Sequence, residues 1–383
     1  MNERVAIVGV GWAGFRPTTP DLSYKELMYQ AAVRAYADAG VDPRRDIESF
    51  VTVAEDFHEG TSIFDEYVPD QLGGVLKPVH TIGGDGLHGL ATAYMLIRTG
   101  LFDVVAVEGH SKASNVLTLP HITAYAQDPV LNRPLGWNTE FIAGMEMNRY
   151  LHDSDTTREQ CAAVVVKNRR NALRNPLASY AAEVSVDEVL AGPPLAWPLG
   201  RREVAPLADG AVVTVLASEE RARHLSGKPV WVLGAGWCND APSLESRDWE
   251  RAVYAAEAAA RAYRQAGITQ PDVDIDFAEV DDSYAYKELQ HLEALGLARA
   301  GEAGLLLEEG AFDRDGMLPV NASGGSLGVG HLLDASGLMR ALEVVLQLRG
   351  QAGEHQLEEV KVGLAQSWRG LPTTSGAVVV LGA

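Results

Sequence analysis

Residues Val5–Trp12 read VAIVGVGW, and residues Val230–Trp237 read VWVLGAGW. Each is a short apolar, β-branched run ending in glycines, the pattern of a buried strand. An alanine-rich helix pattern follows each run. Ala31–Val41 is AAVRAYADAGV, and Ala258–Ile268 is AAARAYRQAGI. The strand recurs after 225 residues and the helix after 227, so order and spacing are both kept. Gly40 and Gly267 each fall where a helix ends and the backbone turns left-handed.

The correspondence continues outward. Phe50–Ala54 (FVTVA) and Phe277–Asp281 (FAEVD) read as the next strands. Gly86-Leu87 opens a helix before the strand Val104–Val107, and Gly337-Leu338 opens one before Val360–Ala365. Each half is therefore β-α-β-α-β, and strands alternating with helices predict an α/β protein with mostly parallel sheets. Two such halves pack their inner helices together in five layers, α-β-α-β-α. Residues 118–205 interrupt the repeat with seven prolines and helical stretches such as Arg158–Leu173. They read as a loop domain inserted before a closing strand, Ala208–Ser218. The expected division is residues 1–117 with 206–226 for the first half, 118–205 for the insertion, and 227–383 for the second half.

Composition narrows the function. The chain has 383 residues and a formal net charge of -20, which argues against a nucleic-acid partner. The two cysteines, Cys161 and Cys238, form neither a CxxC pair nor a metal-type spacing with histidine. No metal site is expected, and a reducing, cytoplasmic setting is the default. MNERVAIVGVGW lacks the order of a signal peptide, and no run of about eighteen apolar residues predicts a membrane span.

Four further segments carry a family resemblance. They are Arg158–Pro176 (REQCAAVVVKNRRNALRNP), Leu207–Leu216 with Asp209-Gly210-Ala211, Glu293–Glu302 (EALGLARAGE) and Asn321–Gly337 (NASGGSLGVGHLLDASG). In order and spacing the chain resembles the thiolase superfamily over almost its full length, in particular the sterol-carrier-protein type. The resemblance implies the thiolase fold, a homodimer, and an acyl-CoA ester as substrate, with no bound cofactor. It places the ester at the junction of the two half-sheets, where helix N-termini suit an enolate or oxyanion. It also gives the loop domain the CoA moiety. The basic cluster of Lys167, Arg169, Arg170 and Arg174 is either the site of the CoA phosphates or a solvated helix face.

The chemistry departs from the family at several positions. A thiolase needs a nucleophilic thiolate, an activating histidine, a second acid/base and oxyanion donors. The family's CASG run corresponds here to Gly83-Gly84-Asp85-Gly86, and Gly83 has no side chain. Asp85 either reaches the pocket or caps the following helix. Asp281 stands in place of a family histidine, where an ionised carboxylate cannot donate, and Tyr284 in place of a phenylalanine. His331 keeps its place in Gly330-His331-Leu332. Asp281 and His331 are expected to meet, either as a general-base pair or as a structural hydrogen bond. The distal cysteine motif is replaced by Gln366–Gly376 (QSWRGLPTTSG), where Trp368 or Arg369 would shape the pocket. His58, His80, His88 and His110 are lone histidines on or near core elements and read for the most part as packing residues.

The candidate catalytic residues are thus His331, Asp281, Tyr284 and Asp85. The candidate substrate-binding residues are Gly83, Asn321, Gly324, Gly325, Lys167, Arg170 and Trp368. Three functions are open. One is retro-aldol cleavage of a β-hydroxyacyl-CoA, as in cysteine-free relatives that cleave steroid side-chain CoA esters. Those relatives work with an accessory protein carrying a zinc ribbon and an OB-fold, and have tyrosines where this chain has Asp281 and His331. The second is a non-catalytic acyl-CoA or lipid carrier or scaffold. The third is an acetyl-CoA acyltransferase whose nucleophile lies elsewhere.

Overall fold

The computed structural model describes residues 4–59, 63–116, 118–225, 227–241 and 243–383. In the first half the strands are β1 (Val5–Arg16), β2 (Ser49–Val53), β3 (Val79–Ile82), β4 (Val104–Lys112) and β5 (Asp209–Ser218). In the second they are β6 (Val230–Asn239), β7 (Phe277–Glu279), β8 (Val362–Trp368) and β9 (Ser375–Gly382). The strand order is β3-β2-β4-β5-β1-β6-β9-β8-β7. Among the described residues the halves pair edge to edge through Ala6–Trp231 and Ile7–Val230, so the continuous sheet is two half-sheets joined at one short antiparallel contact.

Within each half the strands that alternate with helices run one way, as expected. The closing strands β5 and β9 run the other way. Each inserts beside the first strand of its half, so antiparallel neighbours outnumber parallel ones and the sheet is mixed. The expectation of a mostly parallel sheet holds for strand direction and fails for strand pairing. Periodicity gives a strand's existence; it does not say which neighbours it slots between. The sequence reading also missed β3 and β9 as strands.

Five helices matter here: α1 (Tyr24–Ala39), α2 (Gly86–Arg98), α3 (Arg158–Ala172), α4 (Val253–Ala266) and α5 (Ser336–Arg349). Three apolar clusters give the layers. One lies under α1, a second encloses α2 and α5 between the half-sheets, and a third lies under α4 and reaches into the insertion. The repeat has a packing cause. A Cβ on Gly11 would lie 2.2 Å from the Ala31 carbonyl oxygen, and one on Gly236 would lie 2.2 Å from that of Ala258. Glycine in the strand and alanine in the helix let the two backbones approach, once in each half.

Candidate active site

A cavity of about 220 Å³ opens beyond the C-terminal ends of β2, β7 and β8, where open α/β sheets hold their ligands. Leu119, Pro120, Val204, Leu207, Leu333 and Leu371 supply its apolar wall. Its polar lining includes His58, Glu140, Ser283, Tyr284, His331 and Arg369. Neither Cys161 nor Cys238 lines it.

The backbone of His331 is fixed on both sides. Its N–H donates to the Pro206 carbonyl at 2.7 Å, and its carbonyl accepts from Ala208 N–H at 3.0 Å. The ring Nδ1 accepts from Leu333 N–H at 3.2 Å. That contact requires a lone pair on Nδ1 and places the proton of the neutral ring on Nε2. Burial pushes the His331 imidazole down to about 4, against the opposing pull of Asp281. At neutral pH His331 is therefore an uncharged hydrogen-bond donor.

Asp281 is not its partner. No hydrogen bond joins the two, and Asp281 does not line the cavity. Its carboxylate lies 2.8 Å from Arg340 Nη2 of α5 and accepts from Ser283 N–H at 3.0 Å. Burial alone would raise the Asp281 carboxyl. The Arg340 guanidinium overcomes this, and the group stays below the usual range. The expected Asp281–His331 pair is thus corrected: a buried, permanently charged guanidinium takes the carboxylate from a neutral imidazole.

Asp85 is a cap. Its side chain accepts from Leu87 N–H at 3.1 Å in its own helix α2, and from Gly337 N–H at 2.9 Å in α5. It thereby closes the N-termini of both inner helices and does not line the cavity. Burial lifts its carboxyl to about 7.

Gly83 lies beside an ion pair. A Cβ there would sit 3.6 Å from Arg369 Nη2 and 3.7 Å from Glu55 Oε2. Arg369 pairs with Glu55 through both Nε and Nη2. Burial raises the Glu55 carboxyl, and Arg369 only partly counters it. The chain of contacts runs on from Glu55, whose N–H donates to Asp334 Oδ2 at 2.8 Å; His58 Nδ1 lies 3.0 Å from Asp334 Oδ1. Sequence reasoning missed Glu55 and Asp334 and set His58 aside as packing. One signal was present: Glu55 and His58 follow directly on the second strand, where such folds place their chemistry.

Residues 238–383 match the family model described as thiolase C-terminal domain-like. An acetyl-CoA acetyltransferase of Methanothermobacter thermautotrophicus is 31% identical over 379 residues, covering 97% of this chain and 97% of that protein. The chain belongs to the thiolase superfamily. Sterol carrier protein 2 of Bos taurus is 30% identical, over 99% of this chain and 72% of its own length. Among solved structures, the one described as the Ltp2–ChsH2(DUF35) aldolase superimposes with a TM-score of 0.85 at 26% identity, covering 99% of this chain and 98% of that one.

Several residues that the thiolase resemblance nominated for substrate have structural partners instead. Asn321 is fully buried; its Oδ1 accepts from Val280 N–H at 2.9 Å and its Nδ2 donates to Glu288 at 2.7 Å. A Cβ on Gly324 would meet Ala172 at 2.6 Å, and one on Gly325 would meet Asp282 at 2.2 Å, so these glycines admit protein rather than ligand. Lys167 is buried, donates to the Val320 carbonyl at 2.8 Å and pairs with Glu288 at 3.0 Å. Arg170 is exposed and pairs with Asp313 at 2.9 Å. A buried lysine already neutralised cannot serve the CoA phosphates, because exposing it would strand Glu288. Trp368 is in the core, its ring 4.4 Å from the buried Lys287 ammonium; its neighbour Arg369 faces the cavity. Tyr284 does line the cavity, and burial raises its phenol.

Proposed function

We propose that this chain binds a CoA ester and breaks a carbon–carbon bond in it without an acyl-cysteine intermediate, by retro-aldol cleavage of a β-hydroxyacyl-CoA. One observation supports this reading: Gly83, which the sequence resemblance puts at the place of the family nucleophile, abuts the Glu55–Arg369 ion pair, and no thiol lines the cavity. In the proposed reaction a base removes the β-hydroxyl proton. The Cα–Cβ bond breaks, Cβ becomes a carbonyl, and the electron pair passes to the thioester as an enolate. Protonation at Cα then gives the shortened acyl-CoA. Arg369 supplies positive charge and His331 an Nε2–H donor for the enolate oxygen. Neutral imidazole suits this role, because it donates without giving up its proton in the ground state.

The neighbour described as the Ltp2–ChsH2(DUF35) aldolase supports the cleavage reading and, by its two-part name, a partner subunit. The proposal includes an accessory protein of the zinc-ribbon/OB-fold kind and a homodimer. The rival is acyl transfer, supported by the acetyl-CoA acetyltransferase relative. Incubation with β-hydroxyacyl-CoA esters, alone and with the accessory protein, followed by mass spectrometry of products and protein, separates the two. A ketone or aldehyde plus a shortened acyl-CoA is expected. Acylated Cys161 or Cys238 without cleavage would overturn the proposal.

A further inference from the structure

We infer that Glu140 is the general base that removes the β-hydroxyl proton. The inference rests on the proposed carbon–carbon cleavage and names the residue that starts it. Glu140 lies in the first turn of the helix Thr139–Ser154, within the insertion. Asn138 caps that helix, its side chain accepting from Phe141 N–H at 2.8 Å. Ile142, Ala143, Met147 and Tyr150 bury one face of the helix. Its first turn is left at the cavity, where Thr139 and Glu140 both join the lining. Glu140 is half-buried, and among the described lining residues it is the one that brings a carboxylate. That carboxylate makes no ion pair among the described residues. The hydrogen bond it accepts comes from its neighbour Thr139 Oγ1, at 3.4 Å. A carboxylate has about four lone-pair sites, so this single long contact leaves room for a substrate hydroxyl.

Three other polar groups of the lining offer protons. His331 presents Nε2–H, because Leu333 N–H occupies its Nδ1. Arg369 is a cation. Tyr284 keeps its proton, since burial raises its phenol and the Glu140 charge raises it further. That second influence also sets Glu140 and Tyr284 near each other in the cavity. The rival base in the lining is His58. Glu140 comes from the insertion, whereas His331 and Arg369 come from the second half. An ester held between them meets an acceptor for its hydroxyl and donors for its thioester oxygen. The step balances. The hydroxyl O–H breaks as the proton passes to Glu140, and the Cα–Cβ pair moves into the enolate. Glu140 then returns the proton to Cα, and no oxidant or further reactant is consumed.

The test compares wild type, Glu140→Gln, Glu140→Asp and His58→Gln on a β-hydroxyacyl-CoA that the wild type cleaves. Glu140→Gln keeps the shape and removes the base. It should lower kcat by about 10²–10⁴-fold with KM changed little, the range of a lost general base. Glu140→Asp should recover part of that loss, because a carboxylate remains. Calorimetric titration with the matching acyl-CoA that lacks the hydroxyl should give wild type and Glu140→Gln the same Kd. Thermal unfolding confirms that each variant is folded. Full activity in folded Glu140→Gln, with the loss confined to His58→Gln, overturns the inference and leaves the cleavage reading standing. So does a Kd weakened in Glu140→Gln as much as kcat/KM, which would make the residue a structural one. A wild type that cleaves no such ester, with or without accessory protein, overturns both.

Discussion

The side chain of Asp85 accepts a hydrogen bond at 2.9 Å from the backbone N–H of Gly337, which lies on the opposite half of the repeat. With the bond to Leu87 N–H, one carboxylate closes two buried helix N-termini. Asp85→Ala orphans both donors. Each lost cap costs about 0.5–2 kcal/mol, so chemical denaturation should register about 1–4 kcal/mol of destabilisation in all. A loss below about 0.5 kcal/mol would contradict the double cap. The pH dependence has a defined sign. The folded carboxyl titrates at about 7, above its unfolded value, so its contribution is fully present at low pH and is lost as pH rises towards 7. The stability gap between wild type and Asp85→Ala should narrow as pH rises over that interval.

The repeat makes a second prediction. Gly11→Ala and Gly236→Ala each force a methyl group to 2.2 Å from a helix carbonyl, at equivalent points of the two halves. Both should cost about 3 kcal/mol or more by overpacking. Gly192→Ala is the control, since its added methyl meets nothing nearer than 3.6 Å. Urea unfolding of the three variants checks the idea, and a stable Gly11→Ala would refute the packing explanation.

These glycines show why the fold was legible. A strand glycine facing a helix alanine leaves a mark in one sequence, and the mark occurs twice. The site was legible only in part. Motif position singled out Tyr284 and His331, which line the cavity, and Gly83, which lies beside Arg369 of its wall. The partner of His331 was not legible, because sequence separation does not reveal that Arg340, inside a buried helix, takes Asp281. Nor does composition tell a basic residue that is free from one that is spent: Lys167 is buried and paired with Glu288. Glu55 and His58 were missed because a lone acid and a lone histidine after a strand look like packing until Asp334 and Arg369 are placed against them.

Buried histidines set the behaviour in acid. His88, His291 and His331 are each pushed down to about 4, burial being the main cause. Their unfolded values are near 6.5, so the stability each contributes is fully present above that pH and is lost as pH falls through 4. Relative to His331→Gln, the wild type should lose stability as pH drops from about 6.5 to 4. Thermal unfolding across this range reads the difference. By the same account, the His331 ring resonances should show no titration between pH 6 and 8.

Gly83→Cys tests the proposal that Gly83 stands where the family carries its nucleophile. The added Cβ meets only ordinary van der Waals distances, 3.6 Å to Arg369 and 3.7 Å to Glu55, so the variant should fold with little loss of stability. Arg369 favours the thiolate and Glu55 opposes it. The new thiol should nonetheless outpace Cys161 with iodoacetamide, because Cys161 is fully buried and its thiol is raised well above the ordinary value. In Gly83→Cys/Arg369→Met the cation is gone and Glu55 remains, so alkylation at residue 83 should slow by about tenfold, the effect of a one-unit rise in thiol pKa. Equal rates in the single and double variants would show that Arg369 does not govern the charge at this position, and would remove its claim to hold an enolate there.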